Sequence, residues 1–123
     1  MRFIFVFIFV LLFTITGCSH EKYVEPDSPT NAAFLMKYHI DQEQYTLFQT
    51  LFYDGTKDNV SKDRFKQFGE ISTSGANYKN YELLTFDNGE MLLVEFAPKS
   101  EDEDEHKIVN VKVVPEEVKS FFQ

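Results

Sequence analysis

Two short apolar segments in the second half of the chain, joined by turn-forming residues, constrain the fold most strongly. Residues 81–86 and 91–96 are rich in Leu, Phe, Tyr and Val, and Asn88-Gly89 lies midway between them. Asn and Gly adopt the positive φ angles that a two-residue type I′ turn requires, so this pair between apolar segments is a strong hairpin signal. The sequence therefore predicts a β-hairpin with Asn88-Gly89 as its turn.

A two-residue turn would also fix the register of the hairpin. Its core face would then comprise six residues, namely Tyr81, Leu83, Thr85, Leu92, Val94 and Phe96. The other face would carry four apolar residues, namely Leu84, Phe86, Met91 and Leu93. Glu82 would lie opposite Glu95 on that second face, a like-charge pair that Lys79 or Lys112 could relieve. We expect either that a helix covers this second face or that it is an exposed binding patch.

The remaining elements follow from periodicity. Residues 107–114 alternate, which predicts a third antiparallel strand with Val109, Val111 and Val113 inward. Pro115 then begins a closing helix, in which the buried residues would be Val118, Phe121 and Phe122.

Helices are predicted in the first half of the domain. Asp41 and Gln44 resemble a capping box for a helix over residues 42–53, whose inward face would be Tyr45, Phe48, Leu51 and Phe52. Residues 32–40 fit a strand or a helix, and we favour a helix. Ser61 caps a third helix that buries Phe65 and Phe68 and ends at Gly69. The predicted fold class is α+β in two layers, with N-terminal helices, a three-stranded antiparallel meander and a C-terminal helix.

The N-terminal part of the chain indicates targeting rather than folding. A continuous apolar stretch runs from Phe3 to Phe13 behind Arg2, which is too short for the roughly 20 residues of a membrane-spanning helix. The run 15–18 (Ile-Thr-Gly-Cys) follows it and contains Cys18, the one cysteine of the chain. These residues resemble the lipobox of bacterial lipoproteins. The resemblance implies attachment of diacylglycerol to the Cys18 thiol through a thioether, with fatty acids such as palmitate as its acyl chains, and cleavage before Cys18. It also implies a position on the cell membrane facing outside the cytoplasm.

The expected organisation is a signal peptide over residues 1–17, a lipidated flexible tether over 18–32 and one small α+β domain over 33–123. Loss of Arg2 with the signal peptide leaves 11 of the 12 basic residues against 20 acidic ones, a net charge of −9. So acidic a domain repels nucleic acid, which we exclude as a partner.

A search for chemistry in the sequence finds little. The acidic run Glu101, Asp102, Glu103, Asp104 and Glu105 is a weak candidate for a divalent-cation site, because its consecutive side chains diverge and no Gly makes the turn of an EF-hand. His20, His39 and His106 share no metal-binding or catalytic spacing. No serine lies in a Gly-x-Ser-x-Gly turn, and no phosphate-binding glycine loop is present. We expect no catalytic residues, no cofactor and no enzymatic activity.

Two functions remain open from the sequence. The first is an accessory or protein-interaction domain that uses a sheet edge or the face of Leu84, Phe86, Met91 and Leu93. The alternative is a lipoprotein that binds a small ligand, a cell-wall glycan stacked on Tyr53, Tyr78 and Tyr81, or divalent cations weakly. The element order and the Asn-Gly hairpin resemble small lipoprotein domains of the outer-membrane-assembly and β-lactamase-inhibitor-like kind over about half of the chain. That resemblance assigns no functional residue.

Overall fold

The computed structural model of the protein describes residues 23–99 and 102–123. The predicted signal peptide, Cys18 and the first part of the predicted tether lie outside these residues. No helix within them is long and apolar enough to cross a bilayer.

The first helix, α1, spans Pro29–Asp41 and begins inside the segment that was predicted to be a tether. The Ser28 side chain accepts a hydrogen bond from the Asn31 N–H at 3.1 Å, and Pro29 occupies the first turn. Proline is favoured there because its missing N–H would have no helical partner and its φ is already helical. Pro29, which suggests a linker in the sequence, is therefore part of a helix start. The predicted tether boundary at residue 32 is wrong.

The end of α1 explains why a helix over residues 42–53 is wrong. Gln44 N–H donates to His39 O at 2.8 Å and Glu43 N–H donates to Ile40 O at 3.1 Å. With Glu43 at φ 55°, these bonds form a Schellman motif, which reverses the chain. The next helix, α2, is short and spans Tyr45–Gln49. The proposed capping residue Asp41 is instead the last residue of α1.

The third helix, α3, spans Lys62–Ile71 and follows a 3₁₀ turn over Lys57–Asn59. The predicted cap is confirmed, because the Ser61 side chain accepts a hydrogen bond from the Arg64 N–H at 3.2 Å. The predicted end at Gly69 is wrong, since α3 continues for two more residues to Ile71 and Ser72 forms its C-cap.

An aromatic core holds the three helices together. Ile40, Phe48 and Phe65 are buried, and Tyr45, Phe52, Val60 and Phe68 pack against them. The ring centroids of Phe48 and Phe65 lie 4.9 Å apart at a tilt of 57°, within the range that aromatic pairs favour. The Tyr45 hydroxyl donates to Val60 O at 2.8 Å. The buried aromatic face predicted for this region is thus confirmed for Phe48 and Phe65.

The second half of the domain is a three-stranded antiparallel sheet with the order β1-β2-β3, which span Asn80–Thr85, Met91–Phe96 and Ile108–Val113. Together with the N-terminal helices it confirms the predicted α+β fold class. Contacts between elements are concentrated within each half, among the helices on one side and along the sheet on the other. Thr30 on α1 and Asn80 on β1 connect the halves through side-chain hydrogen bonds of 3.0 and 3.2 Å.

The C-terminal helix predicted after Pro115 is present and is a 3₁₀ helix over Glu116–Phe122. With three residues per turn, Glu116 and Lys119 lie above one another, and their side chains form a salt bridge of 2.7 Å. Lys119 is consequently the residue that becomes buried. Burial of Val118, Phe121 and Phe122 is wrong, because all three are exposed.

Candidate interaction surface

The hairpin turn contains one residue more than the sequence predicts. Gly89 N–H donates to Phe86 O and Phe86 N–H donates to Glu90 O, both at 2.9 Å. Gly89 has φ 83°, and Asn88 does not have a positive φ. This is a three-residue loop, residues 87–89, in which a tight turn precedes a left-handed Gly, and not a type I′ turn.

The longer loop shifts the register by one residue. Leu84 faces Leu92 and Leu83 faces Leu93, so every β1 residue lies on the opposite face from the one predicted relative to β2. Leu84 and, by alternation, Phe86 lie on one face, whereas Met91 and Leu93 lie on the other. The prediction that these four residues share one surface is therefore wrong.

The predicted pairing of Glu82 with Glu95 is wrong for the same reason. Glu82 faces Val94, and Glu95 faces Tyr81. Lys79 is the cation beside Glu95, with the Nζ and Oε1 atoms 3.6 Å apart. The sheet therefore has no need of a partner cation to separate these two carboxylates.

One face of the sheet is largely apolar, and we call it the valine face. The valine face comprises Leu84 of β1, Leu92 and Val94 of β2, and Val111 and Val113 of β3, and Glu82 lies on it opposite Val94. Val94 in its centre is buried, but Val111 and Val113 are 47% and 65% exposed. The alternation predicted for β3 is correct for Val111 and Val113. It is wrong for Val109, because a register shift between Glu95 and Phe96 brings Ile108 opposite Phe96 instead. The predicted burial of all three valines is wrong, since each is exposed.

The strand β3 also presents a backbone edge. Within the described residues it has a strand neighbour on one side only, β2, and all six of its residues are exposed. Val114 N–H donates inward to Met91 O at 3.0 Å. Since successive N–H groups of a strand point to opposite sides, those of Val113 and Val111 point away from β2.

Asn110 partly occupies this edge. Its side-chain Oδ1 accepts a hydrogen bond from the Val111 N–H at 2.9 Å. An unpaired edge invites pairing with another chain, and side chains that occupy its donors reduce this tendency. The edge of β3 is therefore apolar. Of its two outward N–H groups, that of Val111 is bonded to the Asn110 side chain and that of Val113 points outward.

The opposite face of the sheet is closed near the hairpin turn. Met91 and Val114 are both buried. Lys119 links the 3₁₀ helix to the turn through a salt bridge to Glu90 at 3.4 Å, and it pairs with Glu116 of its own helix at 2.7 Å. The hydrogen bond to Glu116 raises the pKa of Lys119 above its usual value, against the opposing effect of burial. The exposed apolar surface of the sheet is thus concentrated at β3 and the valine face.

Carboxylates lie beyond both ends of β3. Asp102, Glu103, Asp104 and Glu105 precede it, and Glu116 and Glu117 follow it. All six are exposed. Glu105 forms an ion pair with Lys107, and Glu116 pairs with Lys119, so Asp102, Glu103, Asp104 and Glu117 contribute most of the negative charge. β3 itself contains no acidic residue and one lysine, Lys112.

The predicted cation site is not assembled in the described part of the chain. Glu101 lies outside it, and no group of three or more His, Cys, Asp or Glu side chains among the described residues is placed to hold a metal ion. His106 lies against the Phe96 ring in an edge-on arrangement, with the centroids 6.4 Å apart. His39 Nδ1 and Gln44 Oε1 are hydrogen-bonded at 3.1 Å.

Two grooves flank the helices. The larger, of about 830 Å³, includes Glu43, Tyr45, Phe65 and Glu70 in its walls. The smaller, of about 470 Å³, lies between α1, α3 and the segment that leads to β1, and its walls are mostly apolar: Ala33, Met36, Ile40, Phe68, Ile71, Ala76 and Tyr78 among them. Of the three tyrosines considered for glycan stacking, Tyr78 alone lines either groove, and Tyr53 and Tyr81 are exposed elsewhere.

A polar network closes the rim between the two grooves. The Asp41 carboxylate accepts hydrogen bonds from Lys37 Nζ and Ser72 Oγ, each at 2.5 Å. The bond from Lys37 and then that from Ser72 lower the pKa of Asp41 below its usual value. Because Lys37 is already neutralised by Asp41, the smaller groove has no uncompensated charge from these residues.

The chain matches no protein-family model, no curated protein and no solved structure. Its function is therefore inferred from its own residues.

Proposed function

We propose that the protein is a non-catalytic protein-interaction domain, anchored to the cell membrane by lipid on Cys18 and facing outside the cytoplasm. The observation that carries the interaction is the exposure of β3, whose Ile108, Val111 and Val113 are 61%, 47% and 65% exposed. Exposed apolar residues gathered on one strand and one sheet face are typical of binding surfaces. Burying them against a partner removes them from water, which the isolated domain does not achieve.

The location of the anchor supports the same function. A tether behind Cys18 would hold the domain close to the membrane, while its net charge of −9 after cleavage repels anionic headgroups. The domain would then stand away from the bilayer with its apolar strand available to another protein. Lipid anchoring through several acyl chains is stable without a spanning helix.

The anchor is tested by the Cys18→Ser variant expressed in a bacterium that processes lipoproteins. We expect wild type to incorporate labelled palmitate and to sediment with membranes, and Cys18→Ser to lose the label. Ser19→Ala is the matched control and keeps the label. Incorporation of palmitate into Cys18→Ser would overturn the assignment of the anchor.

The interaction is tested by a photo-crosslinking amino acid placed at position 113 in intact cells. Gln67, an exposed residue of α3, serves as the control position. We expect one discrete crosslinked partner from position 113 and none of the same mass from position 67, with the partner identified by mass spectrometry. Identical products from both positions, or none from either, would contradict an interaction through β3.

Binding of a small apolar ligand is a second candidate function, favoured by the groove of about 470 Å³ between α1 and α3. Apolar walls with few polar groups suit such a ligand. Fluorescence titration with a hydrophobic dye tests this alternative. Ala33→Phe, which fills the groove, should abolish dye binding, whereas Val113→Thr should leave it unchanged.

A further inference from the structure

We propose that β3 accepts an extended segment of the partner as a fourth strand of the sheet, and that this segment alternates apolar residues between basic ends. The proposal deepens the interaction function proposed above and rests on it.

The backbone of β3 offers the hydrogen bonds for such a strand. Val111 and Val113 turn their N–H groups away from β2, and in a strand the C=O of the same residue points the same way. A strand laid alongside at the usual spacing of about 4.8 Å bonds to these groups. The Asn110 side chain, which accepts the Val111 N–H at 2.9 Å, would have to release it. A partner strand therefore has to displace the Asn110 side chain from the Val111 N–H.

The side chains of β3 set the pattern of the partner. Val111 and Val113 belong to the valine face, whose central residue Val94 is already buried. Every second residue of an added strand would extend this face, and an apolar residue there would bury the exposed valine beside it. The partner segment is therefore expected to be apolar at alternate positions.

Charge sets the ends of the partner. The carboxylates of residues 102–105 lie before β3, and Glu116 and Glu117 lie after it. A strand that runs along β3 in either direction brings its two ends to these groups. Lys or Arg at both ends would be attracted, whereas Asp or Glu would be repelled.

The same charges argue against a second copy of this chain as the occupant. In antiparallel pairing of two β3 strands, residues 102–105 of one copy approach Glu116 and Glu117 of the other. Both segments are acidic, so this pairing places like charges together at both ends. A basic segment of a different protein fits the edge better.

The proposal is tested with a fluorescein-labelled peptide of sequence Arg-Lys-Val-Thr-Val-Thr-Val-Lys-Arg and with a control in which Glu replaces every Lys and Arg. The protein is the full chain purified from membranes in detergent, and binding is followed by fluorescence anisotropy at near-physiological salt. We expect the basic peptide to bind and the acidic peptide not to bind.

Three variants locate the binding on the β3 edge. Val111→Pro removes the outward N–H and leaves the bonds to β2, so we expect affinity to fall at least about fivefold, as for one or two lost hydrogen bonds. Val111→Thr keeps the N–H and should retain affinity within about twofold, because it changes the side chain alone. Asn110→Ala frees the Val111 N–H and should tighten binding by about two- to fivefold. Circular dichroism confirms that each variant is folded.

Several results would overturn the added strand. Equal binding to Val111→Pro and Val111→Thr would mean that charge alone attracts the peptide, and a Val111→Pro variant that abolishes a wild-type dimer in sedimentation would mean that a second copy occupies the edge. If a partner crosslinks at position 113 and Val111→Pro does not change its capture, the added strand is rejected. The proposed interaction function is retained in that case. Absence of a crosslinked partner at position 113 in the protein that retains Val111 would reject the function.

Discussion

The two halves of the domain differ in how they bury their largest apolar side chains. The helical half places Ile40, Phe48 and Phe65 in a closed aromatic core, and Phe48 is completely buried. The sheet half is as rich in Val, Leu and Phe, yet Ile108, Val109, Val111 and Val113 of β3 are all exposed. Both halves are rich in apolar residues, but only the helices form a closed core around their largest side chains.

This difference indicates that the buried aromatic residues stabilise the fold, whereas the exposed residues of β3 are available for binding. The helices have three elements that bury one another's aromatic faces, whereas a three-stranded sheet has two faces and here one 3₁₀ segment to cover them. Apolar residues that stay exposed contribute little to the folded state and remain available to a partner. Substitutions of buried residues in either half should therefore affect stability, whereas substitutions of the exposed residues of β3 should affect mainly binding.

The largest effect is expected for Phe48→Ala. Truncation of a completely buried Phe leaves a cavity among Tyr45, Phe52 and Phe65, and we expect the free energy of unfolding to fall by about 3–5 kcal/mol. Leu47→Ala, at the exposed neighbouring position, should cost less than about 1 kcal/mol. Urea denaturation compares them, and equal losses would mean that the aromatic cluster is not the stabilising core.

A smaller effect with the opposite sign is expected at the end of α1. Glu43 has φ 55°, which costs a non-Gly residue roughly 1–2 kcal/mol, less the entropy that Gly loses on folding. Glu43→Gly should therefore raise the free energy of unfolding by about 0.5–1 kcal/mol. Gln42→Gly, one residue earlier where φ is −90°, should not stabilise. Thermal unfolding of both variants decides whether the strain is located at residue 43.

The link between α1 and the end of α3 is expected to depend on pH. Hydrogen bonds from Lys37 and Ser72 lower the pKa of Asp41 from its usual 3.8, so its ionised form stabilises the folded state above that pH. This stabilisation is lost as the pH falls through the lowered pKa.

Asp41→Asn should accordingly be less stable than wild type at pH 7, and the difference should shrink below about pH 3.8. Ser72→Ala, which removes one of the two donors, should show a weaker form of the same trend. Unfolding in urea measured from pH 7 down to pH 2.5 provides the comparison. A difference that does not change with pH would exclude ionisation of Asp41 as its cause.

The smallest effect on stability is expected for Val113→Thr. The side chain is 65% exposed, so the free energy of unfolding should change by less than about 0.5 kcal/mol, while crosslinking at a neighbouring position should fall. Met91→Ala, which truncates a buried residue of the same sheet, should cost about 2–5 kcal/mol. Similar losses in the two variants would show that the β3 side chains are part of the core.

The sequence predicts much of this fold, because its strongest signals are local. Alternation locates all three strands, and Ser61 marks the start of α3 through its side-chain bond to Arg64 N–H. The start of α1 was missed, because Ser28-Pro29 fits both a linker and a helix start. Only the helix that follows distinguishes the two.

The candidate site is less predictable, since it depends on small differences in geometry. Residues 87–89 fit both a two-residue and a three-residue hairpin loop, and the two differ in whether Asn88 adopts a positive φ. That difference decides the register and separates Leu84 from Met91 and Leu93. Exposure of β3 is also not encoded locally, because its alternation is the same whether or not another element covers the valines.

Amide hydrogen exchange at β3 tests the central claim most directly. Lys112 N–H points towards β2 and Val113 N–H points outward, so in the protein alone we expect slow exchange at Lys112 and fast exchange at Val113. On addition of the basic apolar peptide, Val113 should become protected while Lys112 stays unchanged. Val113 protected to the same degree without the peptide, or still exchanging fast when the peptide is bound, would contradict a β3 edge that receives a partner strand.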